Sequence, residues 1–271
     1  MKTIYFDNAA TTPVDPKVIR AMQPYFDEKY GNASSMHHKG QEAKMALDEA
    51  REVIAKAIGA KFDEIIFTSG GTESNNFAIK GVAFAKKKGH IITTKIEHDC
   101  VMNACNWLEK QGFSVDYLNV DKDGLIDLKE LESKIREDTI LVSVIHGNNE
   151  IGAVQDLEKI GEICRKHNIL FHTDACQSFT KVPIDVKKQN LDLVTLNAHK
   201  IHGPKGVGVL YIRKGIQIEP LAHGGGHEFG LRSGTENISG IVGFAAAIKC
   251  AKSSYVNYMK KLKEKLINRV L

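Results

Sequence analysis

Short apolar runs that stop at Gly or at a polar residue alternate with amphipathic helical patterns along most of this chain, and that alternation limits the fold more than any other feature. Residues 41–58, "QEAKMALDEAREVIAKAI", carry a broad apolar stripe through Ala43, Met45, Ala46, Ala50, Val53, Ile54 and Ile58 at helical spacing, and "EIIFTS" follows. The alternation continues with "HIITT" before a helix from about Cys100, "SVDYLNV" before "DLKELESKIRED", and "TILVSVIH" before "DLEKIGEICRKHN", then "ILFHTD" and "DLVTLNA". Strands this uniformly apolar are buried on both faces, so the pattern predicts an α/β fold with a mostly parallel sheet and helices on both sides. The segment "GVGVLYIRKGIQIEPLA" holds two β-rich runs with no helix between them, which predicts a hairpin and hence a mixed sheet. From Ile238 onward, Tyr255, Met259, Leu262, Leu266 and Val270 recur every three or four residues, predicting one long helix over 238–271.

A length of 271 residues is somewhat under two domains at about 150 residues each. The net charge of +4 is spread along the chain and makes no basic footprint, so nucleic acid is not an expected partner. The apolar stretch from Ile238 reaches Lys249 well short of the roughly 18 residues a membrane span needs. Asp7 and Asn8 interrupt any secretory apolar region, and five Cys without a Cys-x-x-Cys pair suit reduced thiols, so a cytoplasmic location is expected. The eleven His show no metal-ligating spacing, and no metal is expected.

Ligands in open α/β sheets bind beyond the carboxyl ends of strands, which directs attention to the polar residues there. Gly70, Gly71 and Thr72 open a helix whose free N–H groups suit a phosphate, although a simple capped turn reads the same way. His98 follows one strand. Asn148, Asn149 and Glu150 follow another, where adjacent amides serve either a ligand or their own loop. Asp174 ends a strand, a costly place for an acid unless a cation or donors meet it, with Gln177 three residues on. Lys200 lies on a loop punctuated by Gly and Pro. Pyridoxal phosphate requires a Schiff-base Lys, an acid for its ring nitrogen, a ring over its face and a phosphate cradle, and Lys200, Asp174, His98 and Thr72 supply one of each.

The stretches "YFDNAATTP", "GNASSMH", "TSGGTESNN", "EH", "NNEIG", "DACQ", "AHKIHGPKG" and "GGGHEFGLRSGTEN" follow in the order found in cysteine desulfurases of the NifS/IscS type, and from about Tyr5 to Gly243 the chain resembles that family within the class V aminotransferases. The resemblance implies the large domain of the pyridoxal-phosphate transferase fold type I and conversion of L-cysteine to L-alanine, with sulfur passed to an iron–sulfur scaffold or a tRNA-thiolation enzyme. It implies Lys200 as Schiff-base lysine and base, and Asp174 opposite the pyridinium nitrogen. His98 would stack on the ring and assist proton transfer, with Gln177 at the phenolic oxygen and Asn149 beside it. Gly71, Thr72, Asn197 and His199 would hold the phosphate, joined by Thr235 of the opposite subunit in a homodimer.

The resemblance also divides the chain into an N-terminal segment (1–13), a cofactor-binding domain (14–237) and a connecting helix (238–271), with a C-terminal small domain expected to be absent. Asn197 stands where most relatives carry Ser, and Cys176 where a small residue is usual. Family members place the nucleophilic Cys and a carboxylate-binding Arg in the small domain, and no Cys here matches that position. A non-catalytic cofactor-binding or assembly protein and a selenocysteine lyase therefore remain open beside the desulfurase.

Overall fold

The computed structural model describes residues 4–270. Seven strands form one sheet in the order β1-β7-β6-β5-β4-β2-β3, comprising β1 (Ile65–Thr68), β2 (His90–Thr94), β3 (Ser114–Leu118), β4 (Thr139–Ser143), β5 (Leu170–Asp174), β6 (Leu193–Asn197) and β7 (Gly208–Ile212). Strands β3, β2, β4, β5 and β6 are mutually parallel, and β7 runs antiparallel to both of its neighbours, β1 and β6. The helices are α1 (Pro16–Met22), α2 (His38–Ile58), α3 (Gly71–Lys86), α4 (Asp99–Glu109), α5 (Leu128–Lys134), α6 (Leu157–Lys166), α7 (Ile238–Cys250) and α8 (Ser253–Val270).

The period of two along each strand divides its side chains between two cores. Ile65, Phe67, Ile92, Val142, Val194 and Val209 pack with α2, α6 and α7, whereas Ile66, Ile91, Leu141, Leu193 and Leu210 pack with α3 and α4. The expected α/β architecture with helices on both faces is the observed one.

Two local expectations change. The second β-rich run after Gly206 is no strand: Gly215 turns the chain at φ +93°, and Ile218 lies across α3, where a Cβ on Gly81 would come within 2.5 Å of Ile218 Cγ1. The Glu219 N–H donates to Gly81 O at 3.0 Å, so backbone pairing goes to a helix and not to a sheet edge. The sheet is mixed all the same, because β7 itself reverses. The expected single helix over 238–271 is two helices, since Ala251 is extended (φ −67°, ψ 128°) and its N–H closes α7 on Ala247 O and Ile248 O. Helix α7 is packed into the core, while α8 buries no residue. No helix among the described residues is long and apolar enough to cross a membrane.

Because β1 is parallel to β6, the carboxyl ends of β1, β2, β4, β5 and β6 open on one edge of the sheet. Five loops that are distant in sequence converge there.

Candidate active site

Asp174 is the last residue of β5 and is 5% exposed. Its Oδ2 accepts from Asn75 Nδ2 at 2.6 Å and its Oδ1 from the Cys176 N–H at 2.9 Å. Asn75 lies one turn into α3, four residues after Gly71, and that spacing turns it to the same face as the helix start. Two donors thus hold a buried acid at the sheet edge, and one face of its surroundings is open to a ligand.

The turn from β1 into α3 depends on close backbone packing. Gly70 has φ +155°, ψ −178°, a conformation open to glycine alone. A Cβ on Gly208, at the start of β7, would stand 2.6 Å from Gly70 Cα, and a Cβ on Gly71 would stand 2.7 Å from Cys176 Sγ. Both side chains must be absent for the first turn of α3 to reach the sheet edge. That turn presents its N–H groups and the positive end of the helix dipole, with Asn197 Nδ2 3.5 Å from the same point beside Gly71.

His98 caps α4 with its ring: Nδ1 accepts from the Cys100 N–H at 3.2 Å and lies 3.0 Å from Cys100 Sγ. Burial pushes the Cys100 thiol up to about 11, so it stays protonated and serves as a donor to the ring. Beside it Glu97 is buried, with Oε1 accepting from Thr94 Oγ1 and the Ile145 N–H, each at 2.8 Å. Burial pushes its carboxyl up to about 8.

The loop after β4 divides the labour between its two asparagines. Asn148 satisfies its own loop, donating to Ile96 O at 2.8 Å and accepting from the N–H groups of Glu150 and Ile151 at 2.8 and 3.0 Å. Asn149 is left free to face the cavity.

Lys200 follows β6 on a turn closed by the Ile201 and Gly203 N–H groups donating to Ala198 O at 3.1 and 3.0 Å. Its Nζ donates to Ala9 O and, at 2.8 Å, to Ala10 O, while Gln177 Nε2 also donates to Ala9 O at 2.8 Å. Burial lowers the Lys200 ammonium below the usual lysine range, opposed in part by Cys176, Asp7 and Asp174. His199, bound to Thr11 Oγ1 at 3.2 Å, is likewise lowered by burial.

These groups line one cavity of about 510 Å³. Gly71, Thr72, His98, Asn149, Asp174, Gln177, Asn197, His199 and Lys200 all reach it, as the sequence leads one to expect. Thr235 does not: it sits on an exposed loop outside the cavity of the single chain. Asn75, Cys100 and Asp7 line the cavity without having been expected there. The helical offset from Gly71 was the available signal for Asn75. The five cysteines are all unpaired, and the pKa of Cys176 is raised well above the thiol range by burial and by Asp174.

The model of the aminotransferase class-V family matches residues 4–271. A cysteine desulfurase IscS of Dictyoglomus turgidum is 54% identical over 252 residues, which are 92% of this chain and 64% of that protein. A cysteine desulfurase IscS of Methanosarcina thermophila is 52% identical over all of this chain and 68% of its own length. The chain thus spans about two thirds of the relatives it matches. Among solved structures, SspA in complex with cysteine superposes with a TM-score of 0.94 at 45% identity, covering 98% of this chain and 78% of that one.

Proposed function

This chain belongs to the aminotransferase class-V family, and on that premise we propose that its cavity holds pyridoxal phosphate and serves the conversion of L-cysteine to L-alanine with release of sulfur to an acceptor. The observation that carries the reading is convergence: an amine, a buried acid and a helix N-terminus, from three separate strand ends, meet in one cavity.

The residues present suit that cofactor. Asp174 is desolvated and anchored by Asn75 and the Cys176 amide, an arrangement that favours a cationic partner such as a protonated ring nitrogen. The side chain missing at Gly71 lets the first turn of α3 pack against Cys176 Sγ with Asn197 Nδ2 close by, where the α3 amides and Asn197 could meet phosphate oxygens. Among the described residues the buried oxygen Oδ1 of Asn197 has no partner; being an acceptor it would need a donor from a ligand, and the amide nitrogen Nδ2 is the atom of Asn197 that suits a phosphate oxygen.

When bound, pyridoxal phosphate supplies an electron-withdrawing ring that stabilises negative charge beside the substrate's amino group. The chain's own residues divide the other tasks. Lys200, with its ammonium lowered by burial, exposes more free amine near neutral pH, as both a nucleophile and a base require. His98 has Nδ1 engaged by the α4 cap, so its transferable proton resides on Nε2. Gln177 and Asn149 would orient cofactor and substrate, and Thr72 and His199 would complete the phosphate site with Thr235 of a second copy, in a homodimer.

Residues 14–237 are read as the cofactor domain, 1–13 as a segment preceding it, and 238–271 as a connection formed by two helices. A cytoplasmic location and an iron–sulfur scaffold or tRNA-thiolation enzyme as acceptor belong to the same reading. A second reading, cofactor binding without turnover, is favoured by one observation: the thiols of Cys100 and Cys176 both stay protonated, and neither suits the nucleophile that takes the sulfur.

Incubation with pyridoxal phosphate should give the visible absorbance of a lysine-bound cofactor in this chain and not in Lys200→Ala. Absence of that absorbance from the unaltered chain rejects the reading. Alanine and sulfide produced from L-cysteine would separate turnover from binding alone, and the same assay with selenocysteine would distinguish the lyase.

A further inference from the structure

Residue Thr12 is 5% exposed although the segment before it is exposed, and among the described residues its hydrogen bonds run to the turn that carries Lys200. Its N–H and its hydroxyl both donate to His199 O, at 3.0 and 2.8 Å, and its Oγ1 accepts from the His202 N–H at 2.8 Å. One hydroxyl therefore ties the residue before Lys200 to the second residue after it. Within the turn, Ile201 and Gly203 already donate to Ala198 O, which leaves the His202 N–H to Thr12. His202 adopts φ +64°, a conformation that disfavours L side chains and needs support. Asp15 N–H donates to His202 O at 3.0 Å, so the segment grips the turn along its whole length.

The same segment also holds the lysine's far end, through Ala9 O and Ala10 O. We propose that Thr12 is a positioning residue for Lys200: its hydroxyl fixes the turn so that the ammonium is delivered into the cavity and onto the carbonyls of residues 9 and 10. The inference rests on reading Lys200 as the reactive amine. Groups facing that amine are Asp7 from the N-terminal segment, Asp174 and Cys176 after β5, Lys181 beyond them, and the adjacent His199. None of these charges changes when Thr12 is altered.

The test uses the cofactor-free chain. Acylation of Lys200 by a small amine-reactive reagent, followed by mass spectrometry across a pH series, reports how buried and how held the amine is. Thr12→Val, which keeps the shape and removes the hydroxyl, should move the Lys200 profile toward that of an exposed lysine and change its rate by about fivefold, the scale of one lost hydrogen bond. Thr12→Ser should follow the unaltered chain. A Thr12→Val profile that coincides with the unaltered one, or a Thr12→Ser profile that shifts as far as Thr12→Val, overturns the proposal. Should Thr12→Val fail to fold, amide exchange in the unaltered chain decides: protection of His202 comparable to that of Gly203 supports the role, and exchange as fast as an exposed loop amide rejects it. None of these readouts needs pyridoxal phosphate, so failure to bind the cofactor and failure of this inference are distinct results.

Discussion

Asn75 and Asp174 are joined side chain to side chain, Nδ2 to Oδ2 at 2.6 Å, and this bond locks the first turns of α3 to the carboxyl end of β5. The first turns of α3 and the acid at the sheet edge are therefore one unit. Asn75→Leu keeps the volume and removes the donor, leaving a buried carboxylate oxygen unpaired at a cost of about 1–3 kcal/mol. Urea unfolding should register that loss, and titration with pyridoxal phosphate should show weaker binding. Full stability in Asn75→Leu would mean that the bond contributes nothing.

Glu97 makes the stability of the chain depend on pH in a direction that can be worked out. Its carboxyl ordinarily titrates at 4.5 and in the fold at about 8. Between those values the unfolded chain has released the proton and the folded chain keeps it, so the stability this group contributes is full below about 4.5 and lost as pH rises through about 8. His146 and His172 act oppositely. Burial lowers both from 6.5 to about 4, so their contribution is present above 6.5 and lost as pH falls toward 4. The difference between the unaltered chain and Glu97→Gln isolates the carboxyl: the variant should gain relative stability steadily from pH 5 to pH 8. A constant difference across that range would mean that Glu97 is ionised in the fold.

Gly71 and Cys176 are coupled by lack of space. A methyl group at residue 71 would meet Cys176 Sγ at 2.7 Å, closer than the atoms tolerate. Gly71→Ala should destabilise the fold and weaken phosphate binding, and Cys176→Ala, which removes the sulfur, should restore part of both. A double-mutant cycle measures the coupling, expected at about 0.5–3 kcal/mol for residues in contact. Strict additivity would show that the turn yields without involving the sulfur.

The alternating pattern made the sheet legible in advance, since Ile65–Thr68, His90–Thr94 and Leu170–Asp174 fall where short apolar runs end in polar residues. Thr72, His98, Asn149, Asp174, Gln177 and Lys200 were legible for the same reason, being polar residues at or just past strand ends, whereas Asn197 and His199 were indicated only by the family resemblance. The run around Ile216 and Ile218 misled because β-branched residues favour strands, whereas the neighbouring Gly81 on α3 offers a groove that no local pattern reveals. The break at Ala251 carries neither Gly nor Pro, and the apolar spacing continues across it. Asn75 was missed because polar residues inside a helix usually face solvent, and only the position of β5 turns this one to use. Thr235 lies apart for a different reason, as its expected role needs a second copy.

The contact least visible in the sequence joins Arg51 to Glu228. Both are buried, and Nη1 and Nη2 of the arginine donate to the carboxylate at 2.9 and 2.6 Å. Arg51 also donates to Ile65 O, and Glu228 Oε2 accepts from the Phe67 N–H at 2.7 Å, so both ions grip β1. The rings of Phe62, Phe67 and Phe229 surround the guanidinium at 5.5, 4.7 and 4.9 Å, favourable cation–π distances. Glu228 and Phe229 have φ of +47° and +58°, a strained path for L residues that the ion pair holds in place. Arg51→Met strands the carboxylate and should cost about 3–5 kcal/mol, while Arg51→Met with Glu228→Leu removes both charges and should recover much of that loss. Arg51→Lys should also lose stability, because an ammonium cannot make the paired bonds of the guanidinium. Chemical denaturation of the three variants checks the order. If the double variant is no more stable than Arg51→Met, the charge left unpaired is not the main cost, and the left-handed path of residues 228 and 229 depends on the bonds themselves.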